Sequence, residues 1–103
     1  MLVLTLKTAE VIELYQSDYG ASESIMIEII SKENNKITLS LSSLKKFLVG
    51  KDPYSSVDFT LAAGQNIIVE TESKKKINIT IISMSKIGFE ADQSVGIRRL
   101  DIT

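Results

Sequence analysis

The stretch Lys86-Ile-Gly-Phe-Glu-Ala-Asp-Gln-Ser-Val-Gly-Ile-Arg-Arg-Leu-Asp-Ile-Thr103 decides how the chain reads. It holds both arginines of the sequence, Arg98 and Arg99. Val95, Ile97 and Arg99 alternate with Gly96 and Arg98, and a two-residue period puts the first set on one face of an extended strand. An apolar row therefore ends in a guanidinium, a planar and permanently charged donor that suits a phosphate or a base edge. The plainer alternative is a surface strand with a terminal arginine.

Outward from this stretch the chain reads as strand after strand. Leu2, Leu4 and Leu6 alternate with Val3, Thr5 and Lys7, which predicts a half-buried opening strand, and a second short strand follows through Val11 to Tyr15. Gln16 to Ser24 is rich in turn formers and reads as an exposed connection. Ile25, Ile27 and Ile29, the polar tip Glu33-Asn34-Asn35, and Ile37, Leu39 and Leu41 make a strong hairpin signal. The segment Ser42 to Gly50 is ambiguous: a serine cap, helically spaced apolar residues and a closing glycine fit one or two turns of helix near 43–49, but a loop followed by a strand fits equally.

Asp52-Pro53-Tyr-Ser-Ser56 carries the single proline and is the best internal boundary. Beyond it the pattern restarts. Val57 to Leu61 alternates like the opening strand, Ala62 to Gln65 turns into Asn66 to Glu70, and a charged loop from Thr71 to Lys76 precedes Ile77, Ile79 and Ile81. A turn at Ser83 to Ser85 leads into the closing stretch, so the second half repeats the order of the first.

Composition narrows the function. The 103 residues are 44% hydrophobic and 24% charged, which fits one compact unit or two small ones sharing a core. No apolar run approaches a bilayer span and no leader is evident, so a cytoplasmic protein without membrane contact is expected. Cysteine and histidine are absent, which removes thiol chemistry, the commonest metal ligand and the commonest general base. The carboxylates show no paired spacing and no phosphate loop or metal constellation occurs, so neither an enzyme nor a cofactor is expected. With a net charge of -1, any nucleic-acid site has to be local. Lys74-Lys75-Lys76 stands beside Glu70 and Glu72 and reads as a solvated loop.

From Ile87 to Ile102 the chain resembles, without a gap, the end of the carbon storage regulator family, with Ile87, Gly88, Ala91, Val95, Arg99 and Ile102 on the family pattern. The opening Met1-Leu2-Val3-Leu4-Thr5 is similar to the family's first residues. The first half aligns through Ala9-Glu10, where the family writes Gly-Glu, and through Ile29 to Lys51. The second aligns through Phe59 to Val69, with Gly64 in the Gly-Glu turn, and through Ile77 to Ile102. The resemblance thus implies an all-β tandem: one five-stranded repeat over 1–52, a linker over 53–56 and a second repeat over 57–103. The two would interlock into a single barrel- or sandwich-like pseudo-dimer that is monomeric because the family's dimer is fused in one chain.

What the resemblance implies for function is translational regulation by binding GGA-containing single-stranded or hairpin-loop messenger RNA, with a small regulatory RNA or a protein antagonist as further partners. Family sites lie where the first strand of one subunit meets the last strand of the other. Carried across, one site combines Leu4 and Lys7 with Val95, Ile97, Arg98 and Arg99, and a second, weaker one combines Phe59 with Phe47, Val49 and Lys51. Leu6 and Leu61 stand where the family has a basic residue that contacts RNA, Ala62 stands opposite Lys7, and Lys51 replaces the final arginine. A rival reading is a protein-interaction module that kept the fold and lost the RNA, as a decoy, an antagonist or a partner of a flagellar assembly factor.

Overall fold

A computed structural model describes residues 1–16 and 24–100. The connection expected between Gln16 and Ser24 and the last matched residue, Ile102, therefore fall outside the described residues. Nine strands form one antiparallel sheet: β1 (Leu2–Thr5), β2 (Val11–Gln16), β3 (Ile25–Glu33), β4 (Lys36–Val49), β5 (Asp52–Ala62), β6 (Asn66–Glu70), β7 (Lys76–Ser83), β8 (Lys86–Ala91) and β9 (Val95–Leu100). Their order is β1-β8-β7-β6-β4-β3-β2-β9, with β5 branching off on β4. The sheet curls into a half-barrel and closes its concave face over one core.

The alternating rows explain the core. Ile25, Ile27 and Ile29 on β3 face Leu39 and Leu41 on β4, while Ile77, Ile79 and Ile81 on β7 face Ile87 and Phe89 on β8; all are buried. β-branched residues on a pleated surface fill such a layer with little rotamer loss. Leu6 and Leu61, which stand where the family it resembles has basic residues, are 2% and 8% exposed and belong to this core. The opening strand is less buried than its alternation suggests: Leu2 is exposed and Leu4 half-buried, because β1 lies at the end of the strand order with a neighbour on one side.

The pairings come in two sets that match register for register. Leu4 pairs with Ile87 across β1 and β8, and Phe59 pairs with Leu39 across β5 and β4. Leu14 pairs with Ile97 across β2 and β9, and Val69 pairs with Val49 across β6 and β4. Ile12 pairs with Ile27, and Ile67 with Ile79. Register shifts fall between Ile29 and Ser31 in one hairpin and between Ile81 and Ser83 in the other. The turns agree as well: the Ala9 amide donates to the Ile29 carbonyl, and the Gly64 amide to the Ile81 carbonyl. Each half therefore takes strands from the other, and neither half has a core of its own.

Two segments take a definite form in the structure: one that the sequence left open and one read from sequence as a linker. Residues 43–49 form no helix: β4 runs extended to Val49, broken only by a register shift between Ser42 and Phe47. Extension wins because it drops Phe47 into the core at 2% exposure, while Leu44, the residue that gave the helical spacing, stands fully in solvent. The tract 53–56, expected as a linker, is itself strand. The chain turns at Gly50 and Lys51 and β5 starts at Asp52, with Val49, Leu48 and Phe47 opposite Asp52, Pro53 and Tyr54. Pro53 fits because it sits on a strand whose outer edge makes no ladder there.

Candidate functional site between the first and last strands

β1 and β9 stand at the two ends of the strand order, and the curl of the sheet brings them face to face. β1 pairs only with β8 and β9 only with β2 among the described residues, so each presents one unpaired edge to the gap. Arg99 spans that gap: its Nη2 donates to the Thr5 carbonyl at 2.5 Å, and its Nε lies 3.2 Å from Glu10 Oε2 as an ion pair. Beyond it the gap widens into a groove of about 290 Å³ lined by Met1, Leu2, Phe89, Glu90, Val95 and Ile97. Leu4, Val95 and Ile97 are half-buried and pack on the core below.

The fold thus brings Leu4, Val95, Ile97 and Arg99 to one seam. Arg98 does not join them. The pleat turns it to the opposite face, where its Nε donates to Glu13 Oε1 at 2.5 Å and its guanidinium lies 4.7 Å from the Tyr15 ring centroid. Glu13 is 6% exposed, so Arg98 neutralises a carboxylate that burial would otherwise penalise. Gly96 makes this packing feasible, since it lies opposite Tyr15 and a Cβ there would collide with the ring. Lys7 is exposed, two residues beyond the end of β1.

At the far end of the groove, β8 leaves for β9 through a turn held by Asp92. Its Oδ1 accepts both the Ser94 amide and the Ser94 hydroxyl at 2.9 Å, and Lys75 Nζ lies 3.9 Å away. The Ser94 amide, then the hydroxyl and then the lysine hold the Asp92 carboxyl below its ordinary value. The groove is therefore acidic at this end, with Glu90 and Asp92, and carries Arg99 at the other.

The second candidate site is assembled differently. Val49 and Phe59 meet across a groove of about 460 Å³ that Tyr54, Ile67 and Ile68 also line. Phe47 is buried beneath it and Lys51 is exposed in the turn. The edge of β4 that corresponds to the open edge of β9 is paired here with Asp52 to Tyr54, and Tyr54 packs edge-on against Phe59 at 6.4 Å between centroids. The chain itself occupies the strand edge of this seam, and the groove beside it stays open.

Sequence reasoning missed Glu10, Glu13, Tyr15 and Tyr54. The carboxylates carry no local signal, because their partners Arg99 and Arg98 are distant in sequence and meet them only through the β2 and β9 register. Gly96 was the available clue to Tyr15: a glycine inside an apolar strand marks a close approach. Searches against family models, curated proteins and solved structures found no match for this chain.

Proposed function

We propose that this protein is an RNA-binding translational regulator that takes a GGA-containing single strand or hairpin loop in the seam between β1 and β9. The observation that carries the reading is the seam itself: two unpaired strand edges face each other over an apolar floor of Leu4, Val95 and Ile97, with Arg99 at its end. Splayed bases stack on apolar and planar groups while unpaired backbone amides and carbonyls reach their edges, which is how single-stranded RNA is read. The resemblance to carbon storage regulators supports the same seam. The matched registers are those expected if two such repeats, 1–52 and 57–103, had fused through 53–56 with their strands exchanged. On this reading the protein works in the cytoplasm as a monomer, blocking or altering the use of its messenger RNA, and the seam beside Tyr54 is the weaker site.

A second reading, a protein-interaction module that lost RNA, is favoured by one specific feature. Both arginines are already engaged, Arg98 by Glu13 and Arg99 by Glu10 and the Thr5 carbonyl. RNA has to compete for them.

A hairpin RNA with GGA in its loop, titrated at two salt concentrations against the same hairpin with the loop changed, separates the two readings. Sequence-dependent binding at one RNA per chain, weakening with salt, is expected. Arg99→Ala should lower the affinity about tenfold or more, in line with the roughly 1–3 kcal/mol of a good cation contact to a base, and Lys51→Ala should leave it unchanged. Equal binding of both hairpins, or an unchanged affinity in Arg99→Ala, would overturn the assignment.

A further inference from the structure

The two seams share one register, and a guanidinium fills only one of them. In the first, Arg99 pairs with Ile12 and reaches across to the Thr5 carbonyl, next to Leu4, with Glu10 beside it. In the matched registers Ile12 corresponds to Ile67, Leu4 to Phe59 and Ile97 to Val49. The place that Arg99 holds therefore falls between Ile67 and Phe59 in the second seam. There it is open. Lys51, the counterpart of Arg99, is exposed in the turn, and a groove of about 460 Å³ lies against Phe59, Ile67 and Val49.

The walls of this groove suit a positive charge. Tyr54 and Phe59 both line it, with their ring planes 86° apart. Two aromatic walls at a right angle make a corner in which a cation meets π electrons. Asp52 lines the same groove, is exposed, and makes no ion pair among the described residues. Gln65, the counterpart of Glu10, is uncharged, and its Oε1 accepts the Ala62 amide. The carboxylate that Glu10 supplies in the first seam thus comes from Asp52 in the second.

We infer that this groove binds a small organic cation, a guanidinium carried on an apolar body, with its charge against Asp52 and its plane against the aromatic pair. A planar guanidinium stacks on rings and pairs with a carboxylate in one fixed geometry, which a compact ammonium does not. The apolar body rests on Val49 and Ile67. A small molecule fits better than an added strand, because the β4 edge here is already paired with Asp52 to Tyr54 and the volume is that of a small-ligand site. The inference goes beyond the RNA reading and does not rest on it. Ile30 and Ile82 also stand exposed, at the two matched register shifts, but nothing in the structure shows what would cover them.

The test uses the full chain labelled with nitrogen-15 and phenethylguanidinium as the probe, with phenethylurea as its neutral, planar counterpart. Amide resonances of Val49, Asp52, Tyr54, Phe59 and Ile67 should shift with the guanidinium, while those of Leu4 and Ile97 stay fixed. The urea should bind roughly fivefold more weakly or worse, and so should the guanidinium to Asp52→Asn or Tyr54→Leu. Unchanged core amides in Asp52→Asn confirm that this variant keeps the fold. Absence of shifts in the groove, equal binding of the urea, or an unchanged affinity in Asp52→Asn would overturn the inference. The GGA hairpin, added to a separate sample, keeps the two readings apart. Hairpin shifts at Leu4, Val95 and Ile97 without guanidinium shifts in the groove leave the RNA reading standing and overturn this inference; guanidinium shifts without hairpin binding do the reverse.

Discussion

The two seams of this sheet are built on the same pairings and differ in what fills them. At the β4 seam the connection between the halves leaves Val49, turns at Gly50 and Lys51, and returns as Asp52 to Tyr54 along the edge it has just made. At the β9 seam no described segment lies along the corresponding edge, and one arginine reaches across instead. The apolar rows set the pairing scheme, because Leu39 with Leu41 and Ile87 with Phe89 demand the same neighbours in both halves. At the β4 edge, occupancy follows from the turn at Gly50 and Lys51, which sends the chain straight back along it. Two sets of matching pairings in one sheet are thus made unequal by the connection between them, without any change of register.

The comparison can be broken most forcefully through the shared core. Phe89 and Leu41 occupy matched positions opposite Ile79 and Ile27, and both are essentially buried. Phe89→Ala should cost about 3–5 kcal/mol and Leu41→Ala about 2–5 kcal/mol, from lost burial plus the cavity left behind. Because β1 rests on β8, β2 on β9 and β5 on β4, either loss should weaken the whole sheet. Urea unfolding followed by far-ultraviolet circular dichroism should show one transition with a lowered midpoint and an unchanged slope in both variants. A biphasic curve in either would mean that a half holds together alone, contrary to the interlocked pairing.

A sharper probe lies in the paired turns. Ala9 and Gly64 close equivalent turns at φ of 70° and 89°, with the same amide-to-carbonyl bond onto Ile29 or Ile81. An L-residue with a Cβ is disfavoured by roughly 1–2 kcal/mol in this left-handed region, whereas glycine enters it freely. Ala9→Gly should therefore stabilise the protein by about 0.5–1 kcal/mol after the entropy of the unfolded glycine is counted, and Gly64→Ala should destabilise it by about 1 kcal/mol. Opposite signs in the urea midpoint are the expected outcome. Equal signs would show that the two turns are not equivalent in energy.

Much of the fold was legible because the rows that make it are local. Ile25, Ile27 and Ile29, the asparagine tip, and Ile37, Leu39 and Leu41 announce a hairpin; Asn34 and Asn35 take φ of 53° and 60°, the left-handed values a two-residue turn requires. The segment around Leu44 was not legible, because helical spacing over so few residues cannot compete with the burial of one phenylalanine. That the proline tract is itself strand was not legible for a related reason: proline marks a break in a central strand but is at home on an edge. The seam was half legible. The alternation of Val95, Ile97 and Arg99 placed those side chains on one face, but which carboxylate each arginine meets depends on the distant register of β2 with β9.

The smallest expected effect is also the one that most directly separates the loop before β9 from the matched stretch of β4. Asp92 holds its loop through the Ser94 amide and hydroxyl, while the matched stretch of β4 at the other seam carries Leu44, Lys45 and Lys46 and has no carboxylate. The native carboxyl of Asp92 is held below its ordinary value of 3.8, first by the Ser94 amide. The ionised form is therefore favoured by folding. Its contribution is fully present above the ordinary carboxylate value and is lost as the pH falls through the lowered native value. The difference in urea midpoint between the native sequence and Asp92→Ala should stay constant from neutral pH down to that ordinary value and close at more acid pH. A Leu44→Ala control should show no such closure, since nothing titrates there. A difference that is flat across the whole acid range would mean that the loop before β9 is held by its backbone alone.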